Sequence, residues 1–222
     1  MTTAGRPPVS SPRVPVIKRA MDLVFGTLGF IVLLPVMLLT GVAVWACMGW
    51  PLFFTQERPG LAGRPFRFVK FRTLTNARDT GGNLQPDSVR LTRCGRALRR
   101  ASLDEWPSLV NVLRGQMSIV GPRPLLMEYL PRYTREQARR MQVLPGITGW
   151  AQVNGRNAIS WDQKFALDVW YVDHWSPWLD LKIMIMTVWK TLRREDISPP
   201  GQEFAEPFGG LPAANSKAGP HD

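Results

Sequence analysis

Charge and apolarity come in blocks along this chain, and the longest block lies near the N-terminus. From Leu23 to Gln56 no residue is charged. Lys18-Arg19-Ala20-Met21-Asp22 precedes this run, and Arg58, Arg64, Arg67 and Lys70 follow it. The pattern predicts a helix from about Ile17 to Cys47, long enough to cross a hydrocarbon core of roughly 30 Å. Pro35 falls near its middle, where the ring removes a backbone donor and crowds the preceding turn, so a kink is expected. Basic flanks favour the cytoplasmic side. With both flanks basic, the residues leave two forms open: a Pro-kinked span, and a hairpin that enters and leaves by one face.

The period then changes. Leu52 to Thr55 and Phe66 to Thr73 read as strands, with turns at Gln56-Glu57-Arg58-Pro59-Gly60 and Ala62-Gly63-Arg64. In the second strand aromatic and basic residues partly alternate, so some of Arg67, Lys70 and Arg72 point away from the packed face. Asn76 to Gln85 is a polar, Gly-rich loop, and Asp87 to Arg100 a basic short helix. A helix starting at Asp104-Glu105 takes an apolar face from Leu109, Val110, Val112 and Leu113, and Gly115 stops it. Met117 to Val120 leads into Gly-Pro-Arg-Pro, a stiff loop carrying Arg123. Thr134-x-x-Gln137 and Ser160-x-x-Gln163 cap two further helices, the second running to about His174. Between them, Leu144 to Asn157 is a loop with short extended pieces, where Gln152, Asn154, Arg156 and Asn157 offer hydrogen bonds. Pro177 interrupts, and Leu181 to Leu192 is a very apolar helix. The tryptophans at 161, 170, 175, 178 and 189 suit a membrane interface and an ordinary core equally.

Charge adds a partner class. The 222 residues carry a net charge of +11, and from Arg58 to Arg100 eleven Lys or Arg face two acids, Asp79 and Asp87. Such a surface should meet phosphates: nucleic acid, nucleotide or anionic lipid. Two cysteines without paired spacing point to a reducing compartment, and two histidines leave a His-based metal site without ligands.

Asp104 and Glu105 stand between Arg99-Arg100 and Arg123. As structure, Ser102-x-x-Glu105 matches a capping box, and Asp104 can itself be an N-cap. As chemistry, one carboxylate attacks phosphorus and the other holds a divalent cation together with substrate phosphates. The surrounding arginines favour the second reading.

In order along the chain stand K-R-x-x-D, F-x-x-x-R-P-G, V-K-F-R-T, S-L-D-E-W-P-S-L-x-N-V-L-R-G-x-M-S-I-V-G-P-R-P and L-P-G-I-T-G-W-A-Q-V-N-G-R-N. From about Ile17 to Asp196 the sequence resembles the bacterial sugar transferases, in their small monotopic form as polyprenyl-phosphate hexose-1-phosphate (phosphoglycosyl) transferases. The resemblance implies transfer of sugar 1-phosphate from a UDP-sugar to undecaprenyl phosphate with release of UMP. It implies ping-pong chemistry through a covalent aspartyl intermediate with Mg²⁺, at the cytoplasmic face of the inner membrane. By motif position Asp104 is the nucleophile and Glu105 the Mg²⁺ ligand. Arg99 and Arg123 hold phosphates, Lys70 faces the same site, and Arg72, Gln152, Asn154 and Arg156 join the substrate-binding set. It also implies a re-entrant helix broken at Pro35, although Leu34 stands where relatives often have Ser.

The expected fold is therefore α+β, mainly α. It comprises a disordered tail (1–15), a re-entrant membrane helix (16–50), a catalytic domain with a small β-hairpin and interfacial helices (51–196), and a second tail (197–222). A homodimer is allowed. Two other classes share part of this pattern. A membrane-anchored nucleic-acid binder leaves Asp104-Glu105 and the G-P-R-P loop without a role, so no nucleic acid is expected. A non-catalytic scaffold for polysaccharide assembly differs in releasing no UMP. The residues do not name the sugar.

Overall fold

A computed structural model describes residues 14–155, 159–193 and 208–209. Val16–Met48 forms one helix, α1, unbroken in secondary structure across Pro35. At 1.5 Å per residue it is about 50 Å long. Its docked residues form two sets, Lys18, Asp22 and Gly26 near the start and Met37, Thr40, Gly41 and Val44 near the end, each on one helical face. Much of the remaining apolar surface, including Leu28, Val32, Leu38 and Leu39, is open.

The charges flanking the apolar run are built into this docking. The Lys18 ammonium donates to Asp180 Oδ2 (2.7 Å), the Val120 carbonyl (2.9 Å) and the Tyr171 hydroxyl (3.1 Å). Arg19 donates to the carbonyls of Val112 (2.6 Å) and Leu113 (2.7 Å). Asp22 Oδ1 accepts from Ser118 Oγ (2.7 Å) and the Ile119 amide (2.9 Å). At the other end Arg72 donates to the carbonyls of Met48, Gly49 (2.8 Å) and Trp50 (3.1 Å). Both ends of α1 are thus fastened to one body.

The body begins with β1 (Phe53–Pro59) and β2 (Pro65–Phe71), an antiparallel hairpin in register from Phe53↔Phe71 to Pro59↔Pro65. The basic run expected as one helix is two: α2 (Asp87–Arg90) and α3 (Arg93–Arg100). Thr92 divides them, its hydroxyl accepting from the Gly95 amide at 2.8 Å as the N-cap of α3. A Cβ at Gly95 would lie 2.0 Å from the Thr73 carbonyl oxygen, so glycine lets α3 lie directly against the chain leaving β2.

Leu103–Ser108 is a 3₁₀ segment leading into α4 (Leu109–Leu113), which ends before Gly115 at φ 75°. β3 (Ser118–Val120) pairs in parallel with β4 (Gly146–Thr148). The chain between them carries a 3₁₀ segment (Met127–Arg132), α5 (Arg135–Ala138) and a 3₁₀ turn (Arg139–Gln142). The expected capping boxes at Thr134 and Ser160 are both formed. α6 (Trp150–Val153), α7 (Trp161–His174) and α8 (Pro177–Arg193) complete the order. Pro177 opens α8 rather than interrupting it, as suits a residue whose missing N–H is an orphan at that position anyway. α8 buries Leu179, Asp180 and Ile183 and leaves Trp178, Ile185, Val188 and Trp189 open. Phe208 packs edge-on against Tyr129 and Phe165, with Trp161 also beside it.

Candidate active site

The acids expected at a helix N-terminus sit instead in the 3₁₀ segment Leu103–Ser108. Ser102, before it, is in the left-handed region (φ 54°), and its side chain makes no cap hydrogen bond. The capping-box reading of Ser102 and Glu105 therefore does not hold. Left-handed backbone is costly for a non-glycine residue and must be held by its surroundings. The Pro107 ring fixes φ within the segment, and Ser108 Oγ donates to the Glu105 carbonyl at 2.6 Å.

This turn lies along the free edge of β2. Asn111 on α4, fully buried, ties the helix that follows this turn to β2. Its Oδ1 accepts from the Val69 amide (3.1 Å), and its Nδ2 donates to the Arg67 carbonyl (2.8 Å) and Gln116 Oε1 (2.7 Å). The clamp fixes the strand on the N-terminal side of Lys70, the cation that faces the acids.

Asp104 is 5% exposed. Burial, then the neighbouring Glu105, push its carboxyl above the ordinary carboxylate range; Lys70, Arg99 and Arg123 pull the other way without prevailing. Burial likewise lowers Lys70, against the attraction of Asp104. Glu105 receives both terminal nitrogens of Arg123, Nη1 to Oε2 at 2.8 Å and Nη2 to Oε1. The Arg123 side chain is half exposed, so this ion pair is a poor source of stability and a good candidate for rearrangement on ligand binding.

The V-K-F-R-T run serves three places at once. Lys70 faces the acids, with its ammonium 5.4 Å from the Phe54 ring centre. Arg72 turns to the end of α1, which uses its guanidinium as a structural clamp. Thr73 Oγ1 accepts from Arg99 Nε at 3.0 Å, orienting that guanidinium beside Asp104. Of the expected set, Asp104, Glu105, Lys70, Arg99 and Arg123 come together. Gln152 lies on α6 with both amide atoms buried and without a hydrogen-bond partner among the described residues. Asn154 turns back onto the Trp150 carbonyl at 2.8 Å. Arg156 lies outside the described residues.

Arg58 was not in the expected set, yet belongs here. Burial and the facing charge of Arg123 lower it to about 10, Glu105 opposing. It donates to Gln56 Oε1 (2.7 Å) and the Pro124 carbonyl (3.3 Å). Its signal in the sequence is the R-P-G turn, where a large cation precedes a proline at a hairpin end. Arg140 and Asp168, also missed, form a buried pair at 2.7 Å behind the G-P-R-P loop. An acid three residues after Phe165 on the buried face of α7 was their signal.

Among the described residues no group of three or more His, Cys, Asp and Glu side chains converges. Two adjacent carboxylates are nevertheless the right donor set for a hard cation that completes its shell with substrate phosphates. Glu105 keeps outer lone pairs beyond those used by Arg123. The residues fit such an ion in kind.

An apolar helix docked at both ends and a carboxylate pair flanked by Lys70, Arg99 and Arg123 define a membrane-associated enzyme for phosphorylated substrates. Residues 13–194 match the family described as bacterial sugar transferase, and the chain belongs to it. It is 55% identical over 195 residues to the uncharacterized sugar transferase EpsL of Bacillus subtilis, covering 88% of this chain and 96% of that protein. It is 41% identical to a UDP-glucose:undecaprenyl-phosphate glucose-1-phosphate transferase of Caulobacter vibrioides, covering 82% of this chain and 73% of the relative. An Escherichia coli protein of the same name is 38% identical over 78% of this chain, but the match spans only 40% of that longer relative.

Proposed function

We propose that this enzyme moves a sugar 1-phosphate from a UDP-sugar to undecaprenyl phosphate, releasing UMP, at the cytoplasmic face of the bacterial inner membrane. The observation that carries the reading is the buried Asp104 beside the Glu105–Arg123 pair, with Lys70 and Arg99 turned to it. The names of the Caulobacter and Escherichia relatives support the acceptor and reaction class.

In this reading an Asp104 carboxylate oxygen attacks the sugar-bearing phosphorus of the donor. The P–O bond to the UMP phosphate breaks, UMP leaves with the electron pair, and an aspartyl phosphosugar remains. A phosphate oxygen of undecaprenyl phosphate then attacks the same phosphorus and returns Asp104 as a carboxylate. Two steps suit a soluble donor and an acceptor that never leaves the bilayer. Arg99, Arg123 and Lys70 place positive charge around the equatorial oxygens, the main requirement of phosphoryl transfer. Glu105 and the donor diphosphate are the groups that would hold Mg²⁺, which when bound neutralises charge on the leaving phosphate.

Seating at one face is supported by the docking of α1. A helix of about 50 Å that crossed the bilayer would carry one end away from a cytoplasmic body. Here Lys18 at one end and Met48–Trp50 at the other are both bound by that body. A helix turned at Pro35, with both flanks at the cytoplasmic interface, accommodates this. Trp178 and Trp189 on α8 suit the same interface.

The direct test is UMP release by membrane-reconstituted protein across a panel of UDP-sugars, with and without undecaprenyl phosphate. Acceptor-dependent release with one sugar supports the proposal and names the sugar. Absence of release with every UDP-sugar refutes it.

A further inference from the structure

The G-P-R-P loop presents Arg123 to Glu105, yet its prolines cannot donate to a ladder. It is suspended by its carbonyls. The Pro122 carbonyl accepts from the Gly146 amide at 3.0 Å, tying the loop to β4. The Arg123 carbonyl accepts from Arg140 Nη2 at 2.7 Å. The Pro124 carbonyl accepts from Arg58 Nη1 at 3.3 Å. Three consecutive carbonyls are held by three different segments.

The middle link is the most constrained. Arg140 is 4% exposed and sits on the 3₁₀ turn after α5. Its Nη2 also donates to Asp168 Oδ2 at 2.7 Å, and its Nε reaches the same oxygen at 3.0 Å. Asp168 lies on α7 and is equally buried. The guanidinium is flanked by the rings of Phe165 (5.6 Å) and Tyr133 (6.0 Å). A planar fork fixed by a carboxylate on one edge and by rings beside it has one orientation left. That orientation aims one nitrogen at the backbone of the residue whose side chain grips Glu105.

We infer that Arg140, held by Asp168, is a positioning residue for transfer: it sets the backbone of Arg123 and through it the Arg123–Glu105 geometry. The inference rests on the proposed reaction. Arg140 touches no acid of the reacting pair. It acts by fixing where Arg123 starts, and displacement of a catalytic group by about 1 Å can cost on the order of 10²-fold in rate.

The test separates positioning from stability. Replacing Arg140 alone by Ala strands a buried carboxylate and risks unfolding. Arg140→Met combined with Asp168→Leu removes the pair together and keeps the volume apolar. Arg140→Lys keeps a charge for Asp168 but cannot hold both acceptors with one planar fork. Each variant that melts at the wild-type temperature is assayed for UMP release, in wild-type and Arg123→Ala backgrounds. The expected result is a fall in kcat of about 10- to 10²-fold with donor KM little changed. In the Arg123→Ala background the further loss should be small, because the group being positioned is already gone. Unchanged kcat in a folded variant overturns the inference, as does an equal loss in both backgrounds. If Arg140→Met with Asp168→Leu fails to fold, Arg140→Lys decides on the same criteria. Lack of turnover by the wild type itself refutes the proposed reaction instead, so the two failures are distinct.

Discussion

Lys18 and Asp180 are 162 positions apart, yet their charged atoms lie 2.7 Å from each other and almost wholly out of water. Tyr171 donates to the same carboxylate at 2.6 Å and Trp175 Nε1 at 3.1 Å. A charge this buried is tolerated only with its partners in place. Lys18→Ala should therefore destabilise the protein by about 3–5 kcal/mol, because it leaves Asp180 uncompensated. Lys18→Met with Asp180→Leu should recover most of that loss. Thermal unfolding in detergent measures both. A double replacement no more stable than Lys18→Ala would show that the pair itself stabilises the fold.

This contact also shows where sequence reasoning reached its limit. The apolar length of α1, the hairpin, both capping boxes and the acid pair follow from local pattern, since each depends on neighbours a few residues away. Lys18 and Arg19 looked like topological flanks because their partners, Asp180 and the carbonyls of Val112 and Leu113, are remote in sequence. Arg72 looked like part of the site because it stands in the V-K-F-R-T motif of the family that the chain resembles. Only the meeting of β2 with the end of α1 gives it a different task. A helix start at Asp104-Glu105 follows from two local patterns, Ser102-x-x-Glu105 as a capping box and Asp104 as an N-cap. The left-handed backbone at Ser102, directly after α3, replaces the extended N-cap that the Ser102-x-x-Glu105 pattern suggests.

The proposed one-face topology can be tested at both termini. Ser10→Cys and Gly210→Cys, in a background lacking Cys47 and Cys94, should both resist an impermeant maleimide in intact cells and react once the inner membrane is opened. Labelling of Ser10→Cys alone in intact cells would place the N-terminus outside and sink the one-face arrangement.

Asp104 carries a linkage with a definite sign. Burial and Glu105 raise its carboxyl above the unfolded value, so the ionised form is the strained one in the fold. Its contribution to stability is full below the unfolded pKa, about 3.9, and is lost as pH rises through the higher folded value. In EDTA without donor, Asp104→Asn should thus melt above wild type at neutral pH. The gap should close as pH falls through the raised pKa. Glu105→Gln should move that closing to lower pH, since Glu105 is the largest charge opposing ionisation. A gap that widens on acidification would contradict the burial account.

Metal dependence tests the second acid. Turnover should stop in EDTA and return with Mg²⁺, because the site offers carboxylate oxygens and no cluster of softer ligands among the described residues. Glu105→Gln should require more Mg²⁺ for half-maximal activity and lose most turnover while folding normally. Ser108 bonds the Glu105 backbone, not its side chain, so the 3₁₀ turn survives this change. Full activity in EDTA would remove the metal from the mechanism.

The last prediction concerns which acid attacks. Glu105 has both oxygens engaged by Arg123, whereas Asp104 is the buried acid facing Lys70 and Arg99. Burial raises the Asp104 carboxyl above its ordinary range, and its ionised form is correspondingly the more basic nucleophile. Enzyme incubated with UDP-sugar but no lipid should release UMP and gain the mass of a phosphosugar, mapping to Asp104. Asp104→Asn should fold, associate with membranes and form no adduct. Asp104→Glu should also fail, by on the order of 10²-fold, because one added methylene displaces the attacking oxygen by about 1 Å in a turn whose backbone is held by the Pro107 ring and the Ser108 hydroxyl. Peptide mapping after donor-only incubation is the deciding measurement. An adduct on Glu105, or a donor-dependent adduct on the Asp104→Asn protein, would reassign the nucleophile. Steady lipid-dependent turnover with no adduct at any time would instead mean direct transfer between donor and acceptor bound together.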